Sequence, residues 1–118
     1  MKESLTKAMI DRLRNRREHV VMTLRHLDRE YEQVEGNTEW LDRAAYENRT
    51  ALLDRLNEWY LAEARKIDGA LNRFDDNSYG NCLACHQAID PARLETVPEA
   101  ECCSDCEEFR EAFGENRA

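Results

Sequence analysis

Four of the five cysteines in this 118-residue chain form two pairs, Cys82-x2-Cys85 and Cys103-x2-Cys106, with 17 residues between them. A CxxC turn aims two thiolates at one point, and a second such turn closes a tetrahedron around a single ion. Two CxxC pairs at this separation read as a zinc site. Four thiolates leave no coordination position for water or substrate, so the expected role of one Zn2+ is structural, contributing folding energy rather than Lewis-acid chemistry. The fifth cysteine, Cys102, would make the less typical pair Cys102-x3-Cys106. It reads as a small apolar filler, with a redox-sensitive thiol as the alternative. His86 follows Cys85 directly but is not needed once four cysteines close the shell.

Little else in the chain could do chemistry. His19 and His26 lie one heptad apart with no evident carboxylate or nucleophile partner. There is no glycine-rich phosphate loop and no nucleophile elbow, so no enzyme is expected. The net charge of −8 and pI near 4.9 argue against a phosphate footprint. Residues 99 to 108 carry five acidic side chains and no Lys or Arg, which would repel nucleic acid. The cluster Arg12, Arg14, Arg16 and Arg17 reads as a solvated helix face, with a local basic patch that faces a partner as the alternative. No apolar leader and no run of ~18 apolar residues is present, which gives the expectation of a cytoplasmic protein. In that reducing setting, five cysteines point to metal rather than to disulfides.

The elements that must position the cysteines are helical. Residues 4 to 35 carry an apolar stripe at Leu5, Met9, Leu13, Val20, Leu24, Leu27, Tyr31 and Val34, with spacings of three, four and seven. Residues 42 to 74 carry a second, at Ala45, Leu52, Leu56, Tyr60, Ala64, Ile67, Leu71 and Phe74. Each helix would be about 48 Å long at ~1.5 Å per residue. The connection at 36 to 41 is short, which makes the helices antiparallel neighbours. The expected fold is mainly α: a long two-helix coiled coil over 1–77 with its tip near 36–45, then a small four-cysteine zinc finger over 78–118. A short helix over 105 to 113 would close the finger, with Phe109 and Phe113 on one face. A pair of helices within a dimeric bundle is the competing arrangement.

The run Tyr79-Gly80-Asn81-Cys82-Leu83-Ala84-Cys85, followed by Ile89, Arg93-Leu94-Glu95, Pro98, Ala100, Cys103 and Asp105-Cys106, resembles the zinc module of the DksA/TraR family of bacterial transcription regulators. Asp42-Arg43-Ala44-Ala45, 40 residues before the first zinc cysteine, resembles that family's coiled-coil tip. The resemblance spans about residues 5 to 115. It implies a monomer that binds RNA polymerase, inserts its coiled coil through the secondary channel and docks its zinc module and last helix on the rim. Initiation would change without DNA contact. The family's tip motif, Asp-x-x-Asp-x-Ala, is met here by Glu39, Asp42 and Ala44, with Glu at the first position. Lys66 matches one basic residue that helps hold guanosine tetraphosphate, whereas Val97 and Glu107 stand where others are basic. A poor response to that nucleotide is therefore expected. His86 replaces a glycine that eases the turn after the second cysteine. Two further readings stay open on the residues alone: a zinc-stabilised coiled-coil adaptor for some other protein, and a thiol redox sensor.

Overall fold

The computed structural model describes residues 3–36 and 41–114. Two long helices dominate, α1 (Glu3–Gly36) and α2 (Arg43–Asp75). Two short ones follow, α3 (Pro91–Thr96) and α4 (Ser104–Phe109), and α4 runs into a π-helical turn at Arg110–Gly114. Among the described residues the only β pairing is an isolated antiparallel bridge between Asn81 and Ala88. The long helices lie within two residues of their expected bounds, because their apolar period is uninterrupted by proline.

The chain forms two compact units. One is Asn15–Arg65, the other comprises the segments up to Arg14 and from Lys66 onward. In the first unit α1 and α2 pack antiparallel. Val20, Leu27 and Val34 recur every seventh residue and are buried, as is Leu53 opposite them. Leu24, Tyr31, Leu41, Tyr46 and Tyr60 close around Leu27, Val34 and Leu53. Arg49 pairs with Glu30 at 2.6 Å, and Arg16 with Glu63 at 3.7 Å. On the opposite edge of the seam, the Tyr31 hydroxyl donates to Asp54 at 2.5 Å. Burial first, and then the Asp54 carboxylate, raise the Tyr31 pKa to about 12.

The seam of α2 departs from the expected stripe in its first half. Leu52 and Leu56 are exposed, and so is Ala45, while the seam row has Leu53 and Ile67 buried and Tyr46, Tyr60 and Phe74 half-buried, so that the expected Tyr60, Ile67 and Phe74 stay in it. That row is a strict heptad and matches the heptad of α1. The Leu52–Leu56 row is only one helical step away and equally apolar, so composition could not separate them. Leu5, expected in the α1 stripe, is also exposed.

In the second unit Leu13 and Ile67 are fully buried. Met9, Cys82, Ile89, Leu94, Ala100 and Cys102 form one core, with Phe74, Tyr79 and Val97 packed against it. The cysteine-bearing segment is thus built onto the first turns of α1 and the last turns of α2.

Candidate metal centre

The approach to the first cysteine pair is set by the end of α2. The Arg73 carbonyl accepts from the N–H groups of Ser78 and Tyr79 at 2.9 and 3.1 Å, and Asn77 (φ 63°) and Gly80 (φ 89°) turn the chain out of the helix. Tyr79 then stacks on Phe74 at 3.8 Å between ring centres and donates its hydroxyl to the Pro98 carbonyl at 2.9 Å. Burial raises the Tyr79 pKa to about 12. This contact ties the entry of the first knuckle to the loop that leads into the second.

The first knuckle is closed by the backbone. Cys82 N–H donates to Gln87 O at 2.8 Å, and His86 N–H returns to Cys82 O at 2.9 Å. The Cys85 N–H points at Cys82 Sγ, 3.4 Å away. His86 takes the left-handed conformation, φ 64°, that a glycine would adopt without a Cβ penalty. Leu83 N–H donates to Glu101 O at 2.9 Å and so joins the two knuckles. In the second, Cys103 sits at the N-cap position of α4 without a side-chain capping bond, and Cys106 follows within the first turn.

The 17 residues between the pairs hold α3, which the sequence reading missed. Its signal was present: Pro91 occupies the first turn and Asp90 caps it, accepting from Ala92 N–H at 2.9 Å. Three arginines then brace the segment through carbonyls. Arg12 donates to Glu95 O at 2.6 Å, Arg93 to Cys102 O at 3.0 Å, and the buried Arg73 to Ala100 O at 3.4 Å. These contacts span up to 83 residues of sequence and have no local pattern that could announce them.

The result brings all four expected cysteines together. Their sulfurs lie within 4.8 Å of one another, and Cys85 Sγ stands 3.9 Å from Cys103 Sγ. A tetrahedron with Zn–S bonds of ~2.3 Å has edges of about 3.8 Å, so the cluster fits that ion. Its electrostatics also call for a cation. Burial opposes the Cys82 thiolate, but N–H groups of Cys85, Cys103 and Ala84 outweigh it and bring its pKa down to about 5. The neighbouring sulfurs, Cys103 foremost, push Cys106 far up. Cys85 is also raised: the Gln87 backbone favours its thiolate, but the Cys82 sulfur and burial prevail. Four thiols this close cannot all ionise alone, and a divalent ion removes that conflict. Cys102 is outside the cluster. It is buried in the adjoining core, its pKa raised chiefly by burial, with Arg110 Nη1 3.2 Å from its sulfur. The filler reading describes that placement.

Residues 77–112 match the prokaryotic dksA/traR C4-type zinc finger. The chain carries a zinc finger of the DksA/TraR family. The four cysteines thus form the site of one structural Zn2+. The chain is 36% identical over 89 residues to the RNA polymerase-binding transcription factor DksA of Caulobacter vibrioides, covering 75% of this chain and 61% of the relative. Against the Escherichia coli K12 protein of the same name the identity is 30% over 95 residues, covering 80% and 61%. The chain therefore spans somewhat under two thirds of the length of these relatives. Among solved structures, transcription factor DksA2 from Pseudomonas aeruginosa superposes with a TM-score of 0.82 at 25% identity, covering 98% of this chain and 89% of that one.

Of the remaining expected site residues, Asp42 and Ala44 are exposed at the start of α2. The Asp42 carboxylate accepts from Ala45 N–H at 2.7 Å, and its carbonyl from Tyr46 N–H at 3.0 Å, so it is the helix N-cap. Glu39 lies outside the described residues. Lys66 is half-buried on α2. Val97 is half-buried and packs against the module's core, and Glu107 has Arg110 Nη1 3.9 Å from its carboxylate.

Proposed function

We propose that this protein is a transcription regulator that binds RNA polymerase, enters its secondary channel with the α1–α2 hairpin and holds the acidic tip near the active centre. The observation that supports this most is the joint presence of the four-cysteine module and, 40 residues before it, an exposed carboxylate, Asp42, at the start of α2. An adaptor has no need of a tip carboxylate. A carboxylate on a slender helical pair can engage a basic or magnesium-bearing centre. The role is regulatory rather than catalytic. The zinc module and α4 rest on the channel rim, no DNA is contacted, and the protein works as a monomer in the cytoplasm. Glu39, Asp42 and Ala44 act at the tip.

The test is binding of zinc-loaded protein to core polymerase, with Asp42→Asn beside it in an initiation assay. Wild type binds and changes initiation; Asp42→Asn binds equally but no longer changes it. Failure of wild type to bind at micromolar concentration would sink the proposal. Guanosine tetraphosphate is expected to stimulate poorly. Lys66 offers one cation, but Val97 is apolar and packed inward, and Glu107 is an acid. A titration of the nucleotide against the polymerase complex that gave strong stimulation would contradict this part.

A further inference from the structure

The first knuckle leaves a strand edge open. Asn81 and Ala88 face each other across the isolated antiparallel bridge. To either side of them, Cys82 N–H donates to Gln87 O at 2.8 Å and Ile89 N–H to Gly80 O at 2.7 Å. In that pattern the two facing residues turn their own N–H and C=O groups away from each other. Asn81 N–H finds Ser78 O at 3.3 Å. Ala88 is exposed, and among the described residues neither its N–H nor its C=O meets a hydrogen-bond partner. Ala88 also lines a groove of about 480 Å³ between the first turns of α1 and α3. Buried Met9, Ile89 and Leu94 line it too, and Leu5, 56% exposed, stands in its wall. Among the described lining residues Glu95 alone is charged, and its carboxylate makes no ion pair with a described residue. The nearby Arg12 guanidinium is committed to the Glu95 carbonyl at 2.6 Å.

We propose that this groove takes an extended peptide segment of another protein, an aliphatic residue flanked by Lys or Arg, which adds to the Ala88 edge as a strand. The open edge selects a peptide over other apolar occupants. A residue set opposite Ala88 returns both bonds at once, its N–H donating to Ala88 O and its C=O accepting from Ala88 N–H. Its side chain lies on the same face as that of Ala88, toward the groove. An acyl chain could cover Met9, Ile89 and Leu94, but it would shield the two backbone groups from water without replacing the bonds water makes. Glu95 selects the flanking charge, because it is a carboxylate at the groove in a chain of net charge −8. A second copy fits less well. Two-fold pairing of one Ala88 edge with another would bring both Glu95 carboxylates into one interface.

The experiment titrates isotope-labelled, zinc-loaded protein with the peptide acetyl-Lys-Val-Leu-Val-Lys amide and follows backbone amide shifts. Three altered peptides accompany it. One is N-methylated at the leucine, which removes the donor to Ala88 O; one is N-methylated at the second valine, whose N–H faces away from the edge; one carries Glu in place of both Lys. The unmodified peptide is expected to shift Ala88 and its neighbours on the groove. Methylation at leucine should weaken it about tenfold, and methylation at valine much less. The Glu-flanked peptide should bind more weakly than the Lys-flanked one, and Glu95→Lys, at an exposed position, should reverse that order. Absence of binding, shifts that bypass Ala88, or equal affinity of the two N-methylated peptides overturns the strand pairing. An unchanged preference in Glu95→Lys overturns the charge match. A dimer in sedimentation that moves the Ala88 amide without peptide also overturns the proposal, because the occupant is then a second copy.

Discussion

Asp42 serves two purposes that single substitutions can separate. Asparagine caps a helix about as well as aspartate, whereas alanine does not. Asp42→Asn should leave the melting temperature unchanged, and Asp42→Ala should cost about 1 kcal/mol. Both should lose regulation if the charge is what acts, which comparison of melting curves with initiation assays will show. His86 is a second informative position. Its φ of 64° costs an L-residue about 1–2 kcal/mol, partly offset for glycine by the freedom of the unfolded chain. His86→Gly should therefore raise thermal stability of the zinc-loaded protein slightly, and a drop on differential scanning would show that the imidazole makes a compensating contact. Tyr31 and Tyr79 both have pKa values raised to about 12. Each favours folding while its hydroxyl is protonated in the native state. That contribution is complete below the unfolded value of 10 and is lost as pH rises through about 12. Denaturant midpoints should fall across that interval, and Tyr79→Phe should flatten part of the fall.

At the scale of elements, seam and flank rows make opposite predictions. Leu13 and Ile67 are fully buried, so truncation of either to alanine should cost roughly 2–5 kcal/mol. Leu52→Ala, on the exposed row, should stay within about 0.5 kcal/mol. Urea titrations of the three variants test the register directly. The same pair of rows shows where sequence reading stops. The two long helices were legible because apolar periods of roughly 30 residues without proline have one regular solution. The choice between Leu52–Leu56 and Tyr46–Leu53 was not, because both rows are apolar and only the partner helix decides which faces the seam. The zinc ligands were legible from spacing alone. The bracing of the segment between the cysteine pairs by Arg12, Arg73 and Arg93 was not, since a guanidinium reaching a carbonyl 83 residues away leaves no periodic trace. The capped Pro91 turn that opens α3 was readable and was overlooked.

For the molecule as a whole, the four-thiolate site organises the module, whose core is small and built partly from Cys82 and Cys102. Stripping zinc with a strong chelator should disorder residues 79–113 and release the Tyr79–Pro98 and Leu83–Glu101 contacts, because the folding energy supplied by the ion is then lost. Amide exchange should accelerate there more than in Asn15–Arg65, and return on adding Zn2+. The central claim, however, concerns where the tip goes. The most direct measurement replaces the catalytic Mg2+ of core polymerase with Fe2+ and maps hydroxyl-radical cuts in the end-labelled, zinc-loaded protein. Cuts confined to residues near 36–45, retained in Asp42→Asn, are the predicted result. Protection of that segment while the bound protein is cut in the cysteine module, or is not cut at all, would contradict the channel mechanism.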